Sequence, residues 1–357
     1  MPVSVSAGSV ITLTSPSLLW LVVAVAVIVP VIAAIVLSRR RRRPVRTLLA
    51  QLGAFLAAQL IALCAAFLWL NDDYSFYSSW SDLLGRTSQA ATINTDGVAA
   101  GPGSGRYVVL SASSPSGPHQ ILAWLPPQYD QPDYRATRFP VVLVLPGQPS
   151  TPQSMAQHFD LAAVATRAIA THQVAPFIAV VPPLMVNPPR DTECTDVSGG
   201  PQAQTWLSRD VPQAVVSKLR TQPPGRGWSI FGWSTGAFCA AKLLLLHPGQ
   251  YAGAAALGGY FQPLLDKTTG SLFGTSRAQW DHNSPLWLYQ HHGLGGDRML
   301  VVSGRQDRES WPQSEKFLAA ASGDPGVSSL AFPSGGHNYR NYRSYLPAIL
   351  HWLVRGG

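Results

Sequence analysis

Two long apolar stretches open the chain, and the rest of it reads differently. Leu18 to Leu37 contains no polar side chain and one proline, Pro30, while Leu48 to Leu70 is interrupted only by Gln51 and Gln59. Each holds about 20 residues, the length that takes an α-helix across a bilayer. A helix packed on a soluble core keeps a polar face, and neither stretch has one. The pattern predicts two membrane spans, about 18–37 and 48–70, forming an anchor over residues 1–70. Beyond it, Asn71 to Gly85 carries Tyr74, Phe76, Tyr77 and Trp80, ring types that settle at a membrane interface. Residues 86–105 are rich in Gly, Ala, Ser and Thr and read as a linker, so that 71–105 joins the anchor to a folded domain over 106–357.

Within that domain, short apolar runs alternate with segments of helical period. The candidate strands are Tyr107–Ser111, Gln120–Leu125, Pro140–Leu145, Phe177–Val181, Trp228–Phe231, Gly253–Leu257, Met299–Ser303 and Ser328–Phe332. The candidate helices are Gln153–Thr171, Gln204–Leu219, Gly236–His247, Trp311–Ala321 and Tyr342–Val354. Such alternation predicts an α/β domain whose mostly parallel sheet carries helices on both faces. Two segments, Pro182–Pro201 and Phe261–Gly296, show no clear element; both follow strands and are placed to wall a pocket.

Charge then sets the topology. Six of the 26 basic residues and none of the 18 acidic ones lie in the first 70 positions, leaving a nearly neutral remainder of 20 against 18. Five of those arginines form the run Arg39–Arg43 between the two spans. Basic residues in a short loop mark the cytoplasmic side. Both chain ends and the folded domain are therefore expected outside the cytoplasm, in a two-pass plasma-membrane protein. A basic run wedged between apolar spans is not a nucleic-acid patch, so no nucleic acid is expected as a partner. The small residues Ala33, Ala34, Gly53, Ala57 and Ala58 suit close helix packing as well as lipid contact, which leaves a protein partner open.

The chemistry concentrates in Gly232-Trp233-Ser234-Thr235-Gly236, lying between a strand-like run and a helix-like run. In that context the pentapeptide reads as a sharp strand-to-helix turn presenting a nucleophilic serine. Asp307 follows the next strand but one, and His337 follows the last. The order Ser234, Asp307, His337 is that of the α/β-hydrolase fold. A serine hydroxyl needs a base to take its proton, and the base needs a carboxylate to hold its tautomer. Asp307 is the favoured acid because it lies nearer its strand end, with Glu309 as the alternative. Backbone N–H groups of Gln148, in the turn Pro146-Gly147-Gln148-Pro149, and of Thr235 are the candidate oxyanion donors; Gly147 is the alternative to Gln148, since Pro149 cannot donate.

Outside the cytoplasm, Cys194 and Cys239 are candidates for a disulfide, against two independent thiols. The acidic cluster Asp191, Glu193 and Asp196 matches no calcium loop and reads as a solvated loop. His282, His291 and His292 lack a converging ligand pattern and read as surface histidines, so no metal is expected.

With these residues in place, 106–357 resembles the esterase D family, which includes the antigen 85 mycolyltransferases. The resemblance rests on Thr205–Pro212, Gly232–Gly236, His247–Gly253 and Gly336-His337-Asn338-Tyr339. Two spans, an aromatic segment and an esterase domain together look like actinobacterial membrane esterases. The resemblance implies an α/β-hydrolase that needs no cofactor and acts on acyl esters, lipidic or cell-wall glycolipid esters among them. It equally implies a transferase moving the acyl group to an envelope sugar or lipid. The turn at Pro146–Pro149 lacks the acidic and arginine residues of the mycolyltransferases. A non-catalytic envelope binding protein is the reading from another class, and the complete triad argues against it.

Overall fold

The computed structural model describes residues 16–38, 44–74, 100–101, 103–115 and 117–354. The arginine run 39–43, the aromatics Phe76, Tyr77 and Trp80, and most of the expected linker lie outside them. Contacts divide the chain into two units, Met1–Arg86 and Thr87–Gly357.

The first unit holds helices α1 (Pro16–Ser38) and α2 (Pro44–Tyr74), which pack on each other. Both are long and apolar enough to cross a membrane, over Ser17–Val36 and Leu48–Asn71. Their apolar side chains are largely exposed, including Trp20, Leu49 and Leu60. Pro30 sits inside α1.

The second unit is built on one eight-stranded sheet: β1 (Arg106–Ser114), β2 (Gly117–Leu125), β3 (Val141–Leu145), β4 (Ile178–Val181), β5 (Trp228–Trp233), β6 (Ala254–Leu257), β7 (Met299–Gly304) and β8 (Val327–Phe332). The spatial order is β1-β2-β4-β3-β5-β6-β7-β8. β1 and β2 are antiparallel, and β2 is antiparallel to β4; every other pairing is parallel. All eight expected strands are present. The central strands are buried along their whole length, so their runs are continuously apolar rather than alternating.

Alternate residues nevertheless go to opposite faces. Val141, Leu143, Ile230, Ala254, Met299 and Val301 face one core, with Trp206, Phe238, Leu243, Leu286 and Phe317. Val142, Val144, Phe231, Leu257, Leu300 and Val302 face the other, with Phe159, Ala165, Tyr342, Ile349 and Leu350. The helices are α3 (Pro152–His158), α4 (Leu161–Ala170), α5 (Val211–Lys218), α6 (Thr235–Leu246), α7 (Arg277–His282), α8 (Pro285–His292), α9 (Trp311–Ala320), α10 (Tyr339–Arg343) and α11 (Leu346–Val354).

Several helices depart from the sequence reading for local reasons. The expected helix Gln153–Thr171 is two, because Asp160 between α3 and α4 adopts a left-handed backbone, φ 49°. The expected helix Gln204–Leu219 begins at Ala203 and passes through a π-turn, Trp206–Asp210, before α5. Pro212 has no N–H to give the carbonyl of Ser208 four residues back, and that carbonyl accepts from Gln250 instead. The expected helix Tyr342–Val354 is split into α10 and α11, with Pro347 in the first turn of the second. Two helices, α7 and α8, occupy part of the segment that read as irregular. Each starts at a serine whose hydroxyl accepts from the backbone three residues on, Ser276 from Gln279 and Ser284 from Trp287.

Candidate active site

The turn from β5 into α6 brings Ser234 to the carboxyl edge of the sheet. Its backbone has φ 54° and ψ −117°, outside the regions that side-chain-bearing residues ordinarily occupy. Such a residue persists only where its surroundings fix it. The Ser234 N–H donates to Leu257 O at 2.9 Å, and its carbonyl accepts from Ala237 and Phe238. The flanking glycines are there because the backbones touch. A Cβ on Gly232 would lie 1.9 Å from Gly236 O, and one on Gly236 would lie 2.2 Å from Leu145 O.

His337 comes from the loop between β8 and α10. Asn341 Nδ2 donates to Gly336 O at 2.9 Å, and Asn338 Oδ1 accepts from Asn341 N, so two asparagines brace the histidine between them. The imidazole Nε2 lies 3.1 Å from Ser234 Oγ, and Nδ1 lies 2.8 Å from Asp307 Oδ2. Ser234, His337 and Asp307 thus form one continuous hydrogen-bonded line. Glu309 is outside it: its carboxylate is 71% exposed and reaches only to 3.8 Å from Nε2, the nitrogen facing the serine.

Asp307, fully buried, follows β7 and caps the turn into α9. Its Oδ1 accepts from the N–H groups of Glu309 and Ser310, and its Oδ2 also accepts from Tyr342 Oη at 2.6 Å. Burial pushes the carboxyl up, but the hydrogen bond and charge of His337, with the hydrogen bonds from Tyr342 and Ser310, outweigh it. The balance brings the group down to about 2. It is an anion at neutral pH. Tyr342 was not singled out by the sequence, and a tyrosine five residues beyond a loop histidine carries no motif that would have marked it.

The Pro146–Pro149 turn after β3 lies directly against the serine. A Cβ on Gly147 would meet Trp233 Cδ1 at 2.7 Å and Ser234 Cβ at 3.2 Å. Gln148 is the next residue along this turn. Thr235 is the first residue of α6, where N–H groups have no intrahelical acceptor. Among the described residues, neither the Thr235 nor the Gln148 N–H donates to a protein acceptor.

Cys194 and Cys239 are joined as a disulfide, with their Cα atoms 5.8 Å apart. It fastens the acidic segment to α6 and overturns the reading of that segment as a solvated loop. Asp191, Thr192, Glu193 and Thr195 are all buried. They enclose Lys242, a fully buried residue of α6 whose Nζ donates to Glu193 O at 2.6 Å, Asn283 Oδ1 at 2.9 Å and Thr195 Oγ1 at 3.0 Å. Burial and the neighbouring Asp191 push the Glu193 carboxyl up to about 8. Its Oε1 accepts from Tyr260 Oη at 2.6 Å. Among the described residues, no group of three or more His, Cys, Asp or Glu side chains is arranged to hold a metal ion.

A family model described as "Putative esterase" matches residues 112–353. A curated relative, an uncharacterised protein of Corynebacterium glutamicum, is 26% identical over 250 residues, which cover 66% of this chain and 57% of that protein. The chain thus spans little more than half of that relative's length. Among solved structures, a ferulic acid esterase superposes with a TM-score of 0.62 at 17% identity, covering 71% of this chain and 98% of its own. An S-formylglutathione hydrolase from Agrobacterium tumefaciens gives 0.60 at 17% identity, covering 71% and 96%. A fluorophosphonate-binding serine hydrolase of Staphylococcus aureus gives 0.58 at 16%, covering 70% and 98%. At these identities the structures speak for the fold, and the family match reaches over most of the second unit. The chain belongs to this esterase family, and its second unit has the α/β-hydrolase fold.

Proposed function

We propose that the protein is a serine carboxylic-ester hydrolase, held at a membrane by α1 and α2 with its second unit outside the cytoplasm. The observation that carries the catalytic part is the unbroken line from Ser234 Oγ through His337 to a buried, anionic Asp307.

In this reading Ser234 Oγ attacks the carbonyl carbon of an acyl ester while His337 Nε2 takes its proton. Asp307 holds Nδ1–H and stabilises the imidazolium. The carbonyl oxygen becomes an oxyanion within reach of the Thr235 and Gln148 N–H groups, the former also at the positive end of α6. As the tetrahedral intermediate collapses, the ester C–O bond breaks and His337 returns the proton to the departing alcohol. Water then adds to the acyl-enzyme by the same steps in reverse, releasing the acid and free Ser234. A sugar or lipid hydroxyl in place of that water would give acyl transfer with the same residues.

The membrane placement draws support from the length and apolar character of the two helices, the arginine run between them, and the disulfide, a bond kept in oxidising compartments. The test of function is hydrolysis of p-nitrophenyl butyrate and palmitate by the full chain in detergent, against Ser234→Ala. Activity in the wild type alone supports the proposal; equal rates in both refute it. Topology is read by fusing alkaline phosphatase to the C-terminus. The enzyme is active only outside the cytoplasm, so an inactive fusion refutes the placement.

A further inference from the structure

The loop that carries His337 and the turn after β3 are fastened to each other by a hydrogen bond between side chains. Tyr339, two residues past the histidine and first in α10, places its Oη 2.7 Å from Ser150 Oγ. Ser150 in turn closes the Gly147–Ser150 turn: its N–H donates to Gly147 O at 2.7 Å. Gly147 O and the Gln148 N–H belong to one peptide group, and that group is trans. A trans peptide is planar, with its carbonyl and its N–H pointing opposite ways. The bond from Ser150 therefore grips one end of a plate whose other end is the Gln148 N–H. That N–H donates to no protein acceptor among the described residues. Tyr339 is itself buried and clamped by other rings. Its ring meets Trp233 at 5.0 Å between centroids, Phe159 edge-on at 5.2 Å and His158 stacked at 5.0 Å. On the far side of Ser150, Thr151 caps α3 reciprocally with Ser154.

We infer that Tyr339 and Ser150 are positioning residues for the oxyanion site, acting through the plane of the Gly147–Gln148 peptide. The inference rests on the esterase reading. The physical need for such a device lies at Gly147. A side chain there is excluded, since its Cβ would lie 2.7 Å from Trp233 Cδ1, and a glycine backbone has wide torsional freedom. An oxyanion donor works by being aimed before charge develops, so the restraint has to come from a neighbour. Ser150 supplies it from within the turn. Tyr339 holds Ser150 from a fixed point beside Trp233, the residue before the nucleophile. One phenol thereby sets the Gln148 N–H in register with both the serine and the loop of its base. Burial pushes the Tyr339 phenol above its usual range, so Oη stays a neutral hydroxyl and the bond to Ser150 persists across neutral pH. A loosened Gln148 N–H lowers the rate of the chemical step rather than substrate binding.

The test uses the full chain in detergent with p-nitrophenyl butyrate, and phenylboronic acid as a tetrahedral mimic. Tyr339→Phe keeps the ring and removes only Oη. It is expected to lower kcat about tenfold with KM unchanged, part of what deleting a whole oxyanion donor costs. The boronate should weaken by a similar factor, a loss of transition-state binding alone. Ser150→Ala should do the same, and the double variant should fall no further than either, because both cut one bond. Ser150→Thr, which keeps the hydroxyl, should recover most of what Ser150→Ala loses. If Tyr339→Phe fails to fold, the two Ser150 variants still read the bond. Unchanged kcat with only a lower melting temperature, a change confined to KM, or independent losses that multiply in the double variant would each overturn it. So would a loss in Tyr339→Phe with Ser150→Ala at the wild-type rate, which would place the effect on the His337 loop instead. A wild type that hydrolyses nothing would overturn the esterase reading, and this inference with it.

Discussion

The indole of Trp233 lies over the imidazole of His337, with ring centroids 4.4 Å apart and planes inclined by 25°. Trp233 precedes Ser234, so in the proposed mechanism the residue that introduces the nucleophile is also the floor for its base. Behind it stand Phe159, Tyr339 and Tyr342, each in ring contact with Trp233. During attack the imidazole becomes a cation, and an aromatic face stabilises a cation placed over it. Trp233→Leu should therefore lower kcat about fivefold, an expectation from the roughly 1 kcal/mol of such contacts. Trp233→Phe should lose less. Steady-state kinetics with a short ester, alongside melting curves to separate folding losses, check the order.

Asp307 and Glu309 offer a sharper contrast. Asp307→Asn leaves a side chain that no longer fixes the His337 tautomer, and kcat should drop by about four orders of magnitude. Glu309→Gln, at an exposed position two residues on, should leave kcat within about twofold, in line with the small effects of exposed charges. A large loss in Glu309→Gln would contradict the geometry.

The same carboxylate makes stability depend on acid. Its folded-state value of about 2 lies below the ordinary 3.8, so the charged form favours the folded state. That contribution, about 2 kcal/mol, is complete above pH ~4 and is lost as pH falls from about 4 towards 2. Denaturant titrations across this window should show wild type losing stability more steeply than Asp307→Asn.

Much of this site was written locally. The strand runs are continuous and apolar because parallel strands are covered on both faces, and the glycines at 232 and 236 follow from backbones that touch. A Cβ on Gly236 would lie 2.2 Å from Leu145 O and 2.5 Å from Pro146 O. Gly236→Ala should accordingly destabilise by about 3 kcal/mol, measured as a fall in the denaturation midpoint. The placement of Ser234, Asp307 and His337, each just past its own strand, was likewise readable. What escaped reading is non-local. Lys242 sat unmarked in an apolar helix because its acceptors are 41 to 49 positions away in sequence. The segment around Glu193 reads as solvated by composition alone; that lysine, the Tyr260 phenol and the Cys194–Cys239 bond together make its burial tolerable. Asp160 breaks its helix by a backbone conformation that its neighbours in sequence do not impose.

The disulfide closes a loop of 45 residues. Constraining a loop of that size in the unfolded chain is worth about 2–4 kcal/mol. Cys194→Ser, Cys239→Ser, or treatment with a reductant should each lower thermal stability by a similar amount. Equal melting temperatures with and without reductant would mean that the bridge contributes nothing to the fold.

If Ser234 is a nucleophile activated by His337, a fluorophosphonate should bond to it; the full chain is treated with the reagent and the adduct located by peptide mass spectrometry. One adduct is expected, on Ser234, absent in Ser234→Ala and formed far more slowly in His337→Ala. An unlabelled wild type, or a label on another serine that survives Ser234→Ala, would contradict it.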